Sequence, residues 1–176
     1  MPIFLSGPTG VGKSTVIQKV VAALQVTPGG FVTRSVYTDA GDMIAVHMYG
    51  ADGYDPGAEV GLRLPDGTWR GNPAAFDGAG VSLLERRPQA PLLLMDELGF
   101  MEGEALVFQK KVLTCLAGPT FVLGVMKPFS LPFLDAVRSV PGVREIAVDL
   151  RNRDGLPEEI IAMIKKGWDY DDKNSC

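Results

Sequence analysis

The sequence predicts an α/β fold of three layers, a mainly parallel sheet between helices with an antiparallel β-hairpin inserted after the first helix. Three observations predict it. Short apolar runs alternate with stretches of helical periodicity along most of the chain. The first apolar run leads straight into a glycine-rich turn and then a helical pattern. Between residues 31 and 49, two alternating runs flank a turn signal that leaves no room for a helix.

In chain order, Pro2 to Ser6 suits a buried parallel strand. Gly7-Pro8-Thr9-Gly10-Val11-Gly12-Lys13-Ser14-Thr15 then fits the pattern G-x-x-x-x-G-K-[ST], a phosphate-binding loop. Val16, Ile17, Val20, Val21 and Leu24 follow at helical spacing, so the loop joins a strand to a helix. The predicted architecture is therefore that of a P-loop NTPase fold. Glycines let backbone N–H groups converge on a polyanion, and the new helix presents its free N–H groups and dipole to it. Lys13 is expected to reach the β- and γ-phosphates, the Ser14 hydroxyl to ligate Mg²⁺, and Thr15 to help hold the α-phosphate.

Phe31 to Tyr37 and Met43 to Tyr49 form the predicted hairpin around Asp39 to Asp42, and His47 reads as a strand-face histidine without catalytic duty. Residues 50–80 are rich in Gly, Pro and Asp, and a short hairpin around Asp66-Gly67 is expected within Leu62 to Trp69. Trp69 and Arg70 are open to a base contact or, for the aromatic, to plain packing. A helix from Phe76 to Arg86 stops before Pro88.

Pro91 to Met95 is a continuous apolar strand ending in Asp96-Glu97. A carboxylate at the end of a buried strand beside a phosphate loop orients Mg²⁺, directly or through a water, which fits Asp96. Glu97 is placed to polarise an attacking water. Further on, a helix spans Glu104 to Leu116 with Ala105, Phe108, Val112 and Cys115 on one stripe. A strand from Thr120 to Val125, a helix from Leu131 to Val140, a strand at Ile146 to Val148 and a helix from Leu156 to Lys166 complete the series.

Composition sets limits. The chain has 176 residues, 46% hydrophobic and 22% charged, ordinary for one globular domain, here taken as 1–167 with a polar tail at 168–176. A net charge of −4 and the lack of a Lys/Arg block argue against nucleic acid as a partner. No run approaches membrane-spanning length and no signal peptide precedes the loop, so a cytoplasmic protein is expected, with a monomer as the expected state. Two cysteines make no disulfide framework, and no metal cluster is expected.

The stretch Gly7 to Thr15, Gly30-Phe31-Val32-Thr33, Asp96-Glu97-Leu98-Gly99-Phe100-Met101-Glu102 and Ile146 to Pro157 together resemble the cancer-related nucleoside-triphosphatase family. Order and spacing agree over nearly the whole chain, and the D-E-[IL]-G-x-M-E segment is the selective part. The resemblance implies Mg²⁺-dependent hydrolysis of ATP, GTP and other nucleoside triphosphates to the diphosphate and phosphate. It implies Lys13 and Glu97 as catalytic groups, Ser14 and Asp96 at the metal, and nucleotide contacts from Gly7 to Ser14 and from Asp96 to Met101. Phe100 stands where members usually carry Lys, and residues 36–80 match poorly. A small-molecule kinase acting on a nucleoside or nucleotide, and a slow nucleotide-dependent switch, remain the alternatives. Arg34, Lys127 and Arg153 are candidates to stabilise transition-state charge, and each is equally suited to a surface salt bridge.

Overall fold

The structure, a computed structural model, describes residues 1–174 and the side chains as far as residue 168. Its strands are β1 (Pro2–Ser6), β2 (Gly29–Tyr37), β3 (Met43–Gly50), β4 (Ala58–Arg63), β5 (Trp69–Gly71), β6 (Leu92–Leu98), β7 (Phe121–Met126) and β8 (Arg144–Ala147). They form one sheet in the order β5-β4-β3-β2-β6-β7-β1-β8. From β2 to β8 the neighbours run parallel, and from β2 outward to β5 they run antiparallel. The expected inserted hairpin is thus part of a larger antiparallel wing of β3, β4 and β5 built onto β2.

The reason lies in the residue pattern. Every residue of β1 and of β7 is buried, as strands covered on both faces require. Burial along β2 starts complete and becomes intermittent after Phe31, where the strand leaves the parallel region. The turn at Asp66-Gly67 closes β4 onto β5 as predicted, with the Leu64 N–H donating to Thr68 O.

The helices are α1 (Lys13–Leu24), α2 (Pro73–Ala75), a π-helical turn at Phe76–Gly80, α3 (Val81–Glu85), α4 (Leu106–Ala117), α5 (Pro132–Ser139) and α6 (Leu156–Asn174). The helical stretch expected from Phe76 begins earlier, because Asn72 caps it through the Ala75 N–H and Pro73 takes the first helical position. In the other direction α6 runs past Lys166 to Asn174, and Trp168 packs against the core instead of opening a polar tail. Cys176 and the side chains of the charged stretch from Asp169 lie outside the described residues. No helix of the described residues is long and apolar enough to cross a membrane.

Two apolar layers flank the sheet. One joins Val16, Ile17 and Val20 of α1 to Leu156, Ile160 and Ile164 of α6. The other gathers Phe31, Phe76, Phe108, Leu83 and Leu134 beneath α3, α4 and α5. On α4 the buried stripe is Phe108, Val112 and Leu116; Cys115, expected on that stripe, is half-buried beside it, its thiol pushed up by burial.

At the junction between the parallel and antiparallel regions, Gly30 adopts φ +86°, and a Cβ there would lie 2.0 Å from the Leu94 carbonyl oxygen. Neither condition tolerates a side chain. Gly30→Ala is expected to lower folding stability by at least about 2 kcal/mol, since left-handed strain and a backbone overlap act together. Urea unfolding of the two proteins measures it, and a loss of under half that size would refute the account.

Candidate active site

The phosphate loop lies between the end of β1 and the start of α1. Gly7, Gly10 and Gly12 all have positive φ, at 137°, 79° and 112°, so the chain curls as only glycine permits. The Val148 N–H donates to Ser6 O at 2.8 Å, which ties the loop's entry to the segment after β8. No side chain caps the first turn of α1, whose N–H groups and dipole remain for an anion. Lys13, only 8% exposed, donates from Nζ to Gly7 O at 2.8 Å and to Pro8 O at 2.9 Å. Burial lowers its pKa; Glu97 and Asp96 oppose that shift, while nearby Lys127 adds to it.

Opposite the loop stand the acids at the end of β6, which the structure extends through Asp96-Glu97 to Leu98, with a cis peptide between the two acids. Burial raises the Asp96 carboxyl to about 6, adjacent Glu97 adds to this, and a Ser14 hydrogen bond, Lys13 and Lys127 pull the other way. Glu97 Oε1 meets Lys127 Nζ at 2.6 Å. Lys127 follows β7, the strand between β1 and β6, so its side chain rises between the loop and the acids. Sequence reading offered Lys127 only as one cation among three.

Glu102 is the site residue whose setting the sequence conceals. It is 2% exposed, and its Oε1 accepts the Gly99 N–H at 2.5 Å. Gln109 Nε2 donates to the Glu102 and Gly103 carbonyls, which pins the turn between β6 and α4. Burial drives the Glu102 carboxyl up to about 7, against the two backbone hydrogen bonds and with a contribution from Glu97. The M-E ending of the selective segment was the available signal; the burial was not visible in it.

These groups share one cleft of about 570 Å³. From the predicted set it is lined by Thr9, Gly10, Gly12, Lys13, Ser14, Thr15, Asp96, Glu97, Gly99, Phe100 and Met101. Val11 and Leu98 are instead core side chains, and Gly7 and Pro8 act through their carbonyls on Lys13. Arg34 is not in the lining: Thr33 and Ser35 face the cleft, and between them Arg34 lies over the Tyr49 ring at 4.9 Å. Arg153 sits on the loop's far side, Nη1 3.4 Å from Val11 O. His47 faces Glu59 at 3.8 Å and takes no part. Trp69 does line the cleft, and Thr33, Ser35, Tyr37 and Phe76, unassigned by the sequence, line it too. Among the described residues no group of three or more His, Cys, Asp or Glu could hold a metal ion.

Comparison with known proteins gives a consistent result. A family model described as NTPase matches residues 2–161. The chain is 31% identical over 170 residues to the nucleoside-triphosphatase THEP1 of Thermotoga petrophila, covering 94% of this chain and 93% of that protein. It is 28% identical to the human cancer-related nucleoside-triphosphatase, covering 93% and 96%. The crystal structure of THEP1 from Aquifex aeolicus has the same fold, with a TM-score of 0.76 at 24% identity over 93% of this chain and 99% of that one.

Glu102 generates a prediction about stability. Its pKa rises from an ordinary 4.5 to about 7, so between those values the folded chain keeps a proton that the unfolded chain has released. Its effect is therefore to lower stability as pH climbs from 4.5 to 7, with no further change above. In Glu102→Gln that fall is removed, and the variant gains on the parent by more than about 1 kcal/mol between pH 5 and pH 7.5. Denaturant unfolding at the two pH values reads the difference; parallel stability profiles would contradict it.

Proposed function

The chain belongs to the NTPase family, and on that premise we propose that it hydrolyses nucleoside triphosphates, ATP and GTP among them, to the diphosphate and phosphate, with Mg²⁺ and with Glu97 as general base. The observation that carries this reading is the Glu97–Lys127 contact of 2.6 Å inside the cleft that holds the phosphate loop. A base for water must be fixed in direction and close to the γ-phosphate, and a lysine gripping one carboxylate oxygen leaves the other to accept a proton.

The donors suit Mg²⁺. Ser14 hydrogen-bonds to Asp96, so two hard oxygen groups lie side by side, and a carboxyl raised by burial and by a neighbouring acid gains from a cation. Ser14 and Asp96 would hold Mg²⁺, which would offset the negative charge that develops on the phosphate oxygens. The loop N–H groups and Lys13 hold the β- and γ-phosphates. Glu97 takes a proton from the attacking water as the water oxygen bonds to Pγ, and the bond from Pγ to the bridging oxygen breaks. Lys127 keeps Glu97 in line and adds positive charge beside the transferring group. The net charge of −4 speaks against a nucleic-acid partner.

Lys13→Ala is expected to fold and to retain almost no hydrolysis, measured as phosphate release with each nucleoside triphosphate. Near-parental rates would remove the loop from the mechanism. Glu97→Gln is expected to keep or tighten Mg-nucleotide binding while turnover falls about a hundred- to ten-thousand-fold. Asp96→Asn weakens binding and turnover together, and chelator abolishes hydrolysis until Mg²⁺ is restored. Nucleotide titration beside single-turnover kinetics separates these patterns; a Glu97→Gln enzyme of normal rate would eliminate the base assignment.

A further inference from the structure

We propose that the half of the cleft beyond Glu97 is a second-substrate site for an uncharged nucleoside, whose hydroxyl takes the γ-phosphoryl group in place of water. The inference rests on the phosphate-loop reading above and goes beyond hydrolysis.

Direction comes first. Lys13 serves the β- and γ-phosphates and the Ser14–Asp96 pair would hold the metal beside them, so the γ-phosphate faces β6. The triphosphate's own nucleoside then leaves the loop away from Glu97. On that side lie β8 and the segment after it, where Val148 holds the loop's entry and Arg153 reaches Val11 O. The cleft, however, extends the other way, past Glu97 onto the antiparallel wing, where β2 supplies Thr33, Ser35 and Tyr37 and β5 supplies Trp69.

Size comes second. A hydrolytic water occupies about 30 Å³. The cleft, its phosphate end included, holds about 570 Å³, and it continues past Glu97 to Trp69 and Tyr37, well beyond the place of one water.

Chemistry narrows the occupant. The cations lining the cleft are Lys13 and Lys127, and both stand at its phosphate end. Arg34 is turned to the other face over Tyr49, and Arg70, next to Trp69, is exposed and outside the lining. A phosphorylated acceptor would meet no positive charge among the residues of the wing that line the cleft. Three hydroxyl side chains, a half-buried Trp69 and the 43%-exposed Phe100 instead suit a planar base carrying a polyhydroxylated sugar. In the transfer the nucleoside oxygen bonds to Pγ, and the bond from Pγ to the β–γ bridging oxygen breaks. Its electron pair leaves on the nucleoside diphosphate, and the hydroxyl proton passes to Glu97. The products are a nucleoside monophosphate and a nucleoside diphosphate.

The test uses the full chain with Mg²⁺, ATP labelled on the γ-phosphate, and adenosine, guanosine, cytidine and uridine in turn. Label is expected in at least one nucleoside monophosphate. Calorimetry is expected to show that nucleoside binding to protein already saturated with a non-hydrolysable ATP analogue. Trp69→Ala should weaken that binding by about ten-fold or more while the KM for ATP hydrolysis stays unchanged. Tyr37→Ala, at a site 59% exposed, gives the same comparison if Trp69→Ala fails to fold. The proposal is overturned if none of the four binds the analogue-loaded protein, or if binding occurs without transfer of label. Competition with ATP, or a matching rise in the KM for ATP, also overturns it, since the cleft then takes the triphosphate's own nucleoside. Failure of ATP turnover with and without nucleoside is a separate result, and it counts against the phosphate-loop reading itself.

Discussion

Four charges meet where β1, β6 and β7 end, and the arrangement of the chain answers to them. Lys13 and Lys127 supply two cations, Asp96 and Glu97 two anions, all partly or wholly withdrawn from water. Burying any one of them alone would cost several kcal/mol. Together they offset one another, and each is also held by a hydrogen bond or ion pair: Lys13 by loop carbonyls, Asp96 by Ser14, Glu97 by Lys127. Three separate stretches of sequence deliver these groups, and only a parallel sheet with β7 threaded between β1 and β6 brings them together. On the proposed reading, a triphosphate would enter a place where charge of both signs is already compensated.

Much of this was legible because it is local. Gly7 to Thr15 carries its own strand, turn and helix, so the loop's form follows from nine consecutive residues. The apolar run into Asp96-Glu97 announces a buried strand with acids at its tip in the same way. The order of strands is another matter. That β7 lies beside β1, and so aims Lys127 at Glu97, depends on pairing across more than a hundred residues, which no periodicity records. Glu102 was hidden for a related reason: an acid in a turn looks solvated, yet its carboxyl is 2% exposed and folds back onto the Gly99 N–H, while Gln109 of α4 holds its backbone carbonyl. Arg34 shows the complementary error. Alternation along β2 was visible, but which face met the cleft was not, and Thr33 and Ser35 took the inward positions.

The wing proved larger than a hairpin because its strands are short and its turns carry much of the composition. Residues 50–80 offer little beyond the hairpin signal at Asp66-Gly67 when scanned for apolar runs, yet Ala58–Arg63 and Trp69–Gly71 extend the sheet through backbone pairing. Ala58 and Val60 are the buried side chains of β4 and β5 has none, so the hydrophobic signal is thin. Phe76 and Phe108 then close the underside, their rings 5.1 Å apart.

The seam between the two halves has a mechanical consequence. Only the first four residues of β2, Gly29 to Val32, pair with β6, and the rest of that strand belongs to the wing. The wall bearing Thr33, Ser35 and Trp69 is thus tied to β6 by a short stretch of ladder and to the helices by Val46, Met48 and Val60, which pack with Leu83 and Phe108, whereas the phosphate loop is held between α1, α6 and fully buried strands. The wall of the wing and the phosphate loop thus belong to different parts of one sheet, and residues 29–32 join them, Val32 lying beside Asp96 itself.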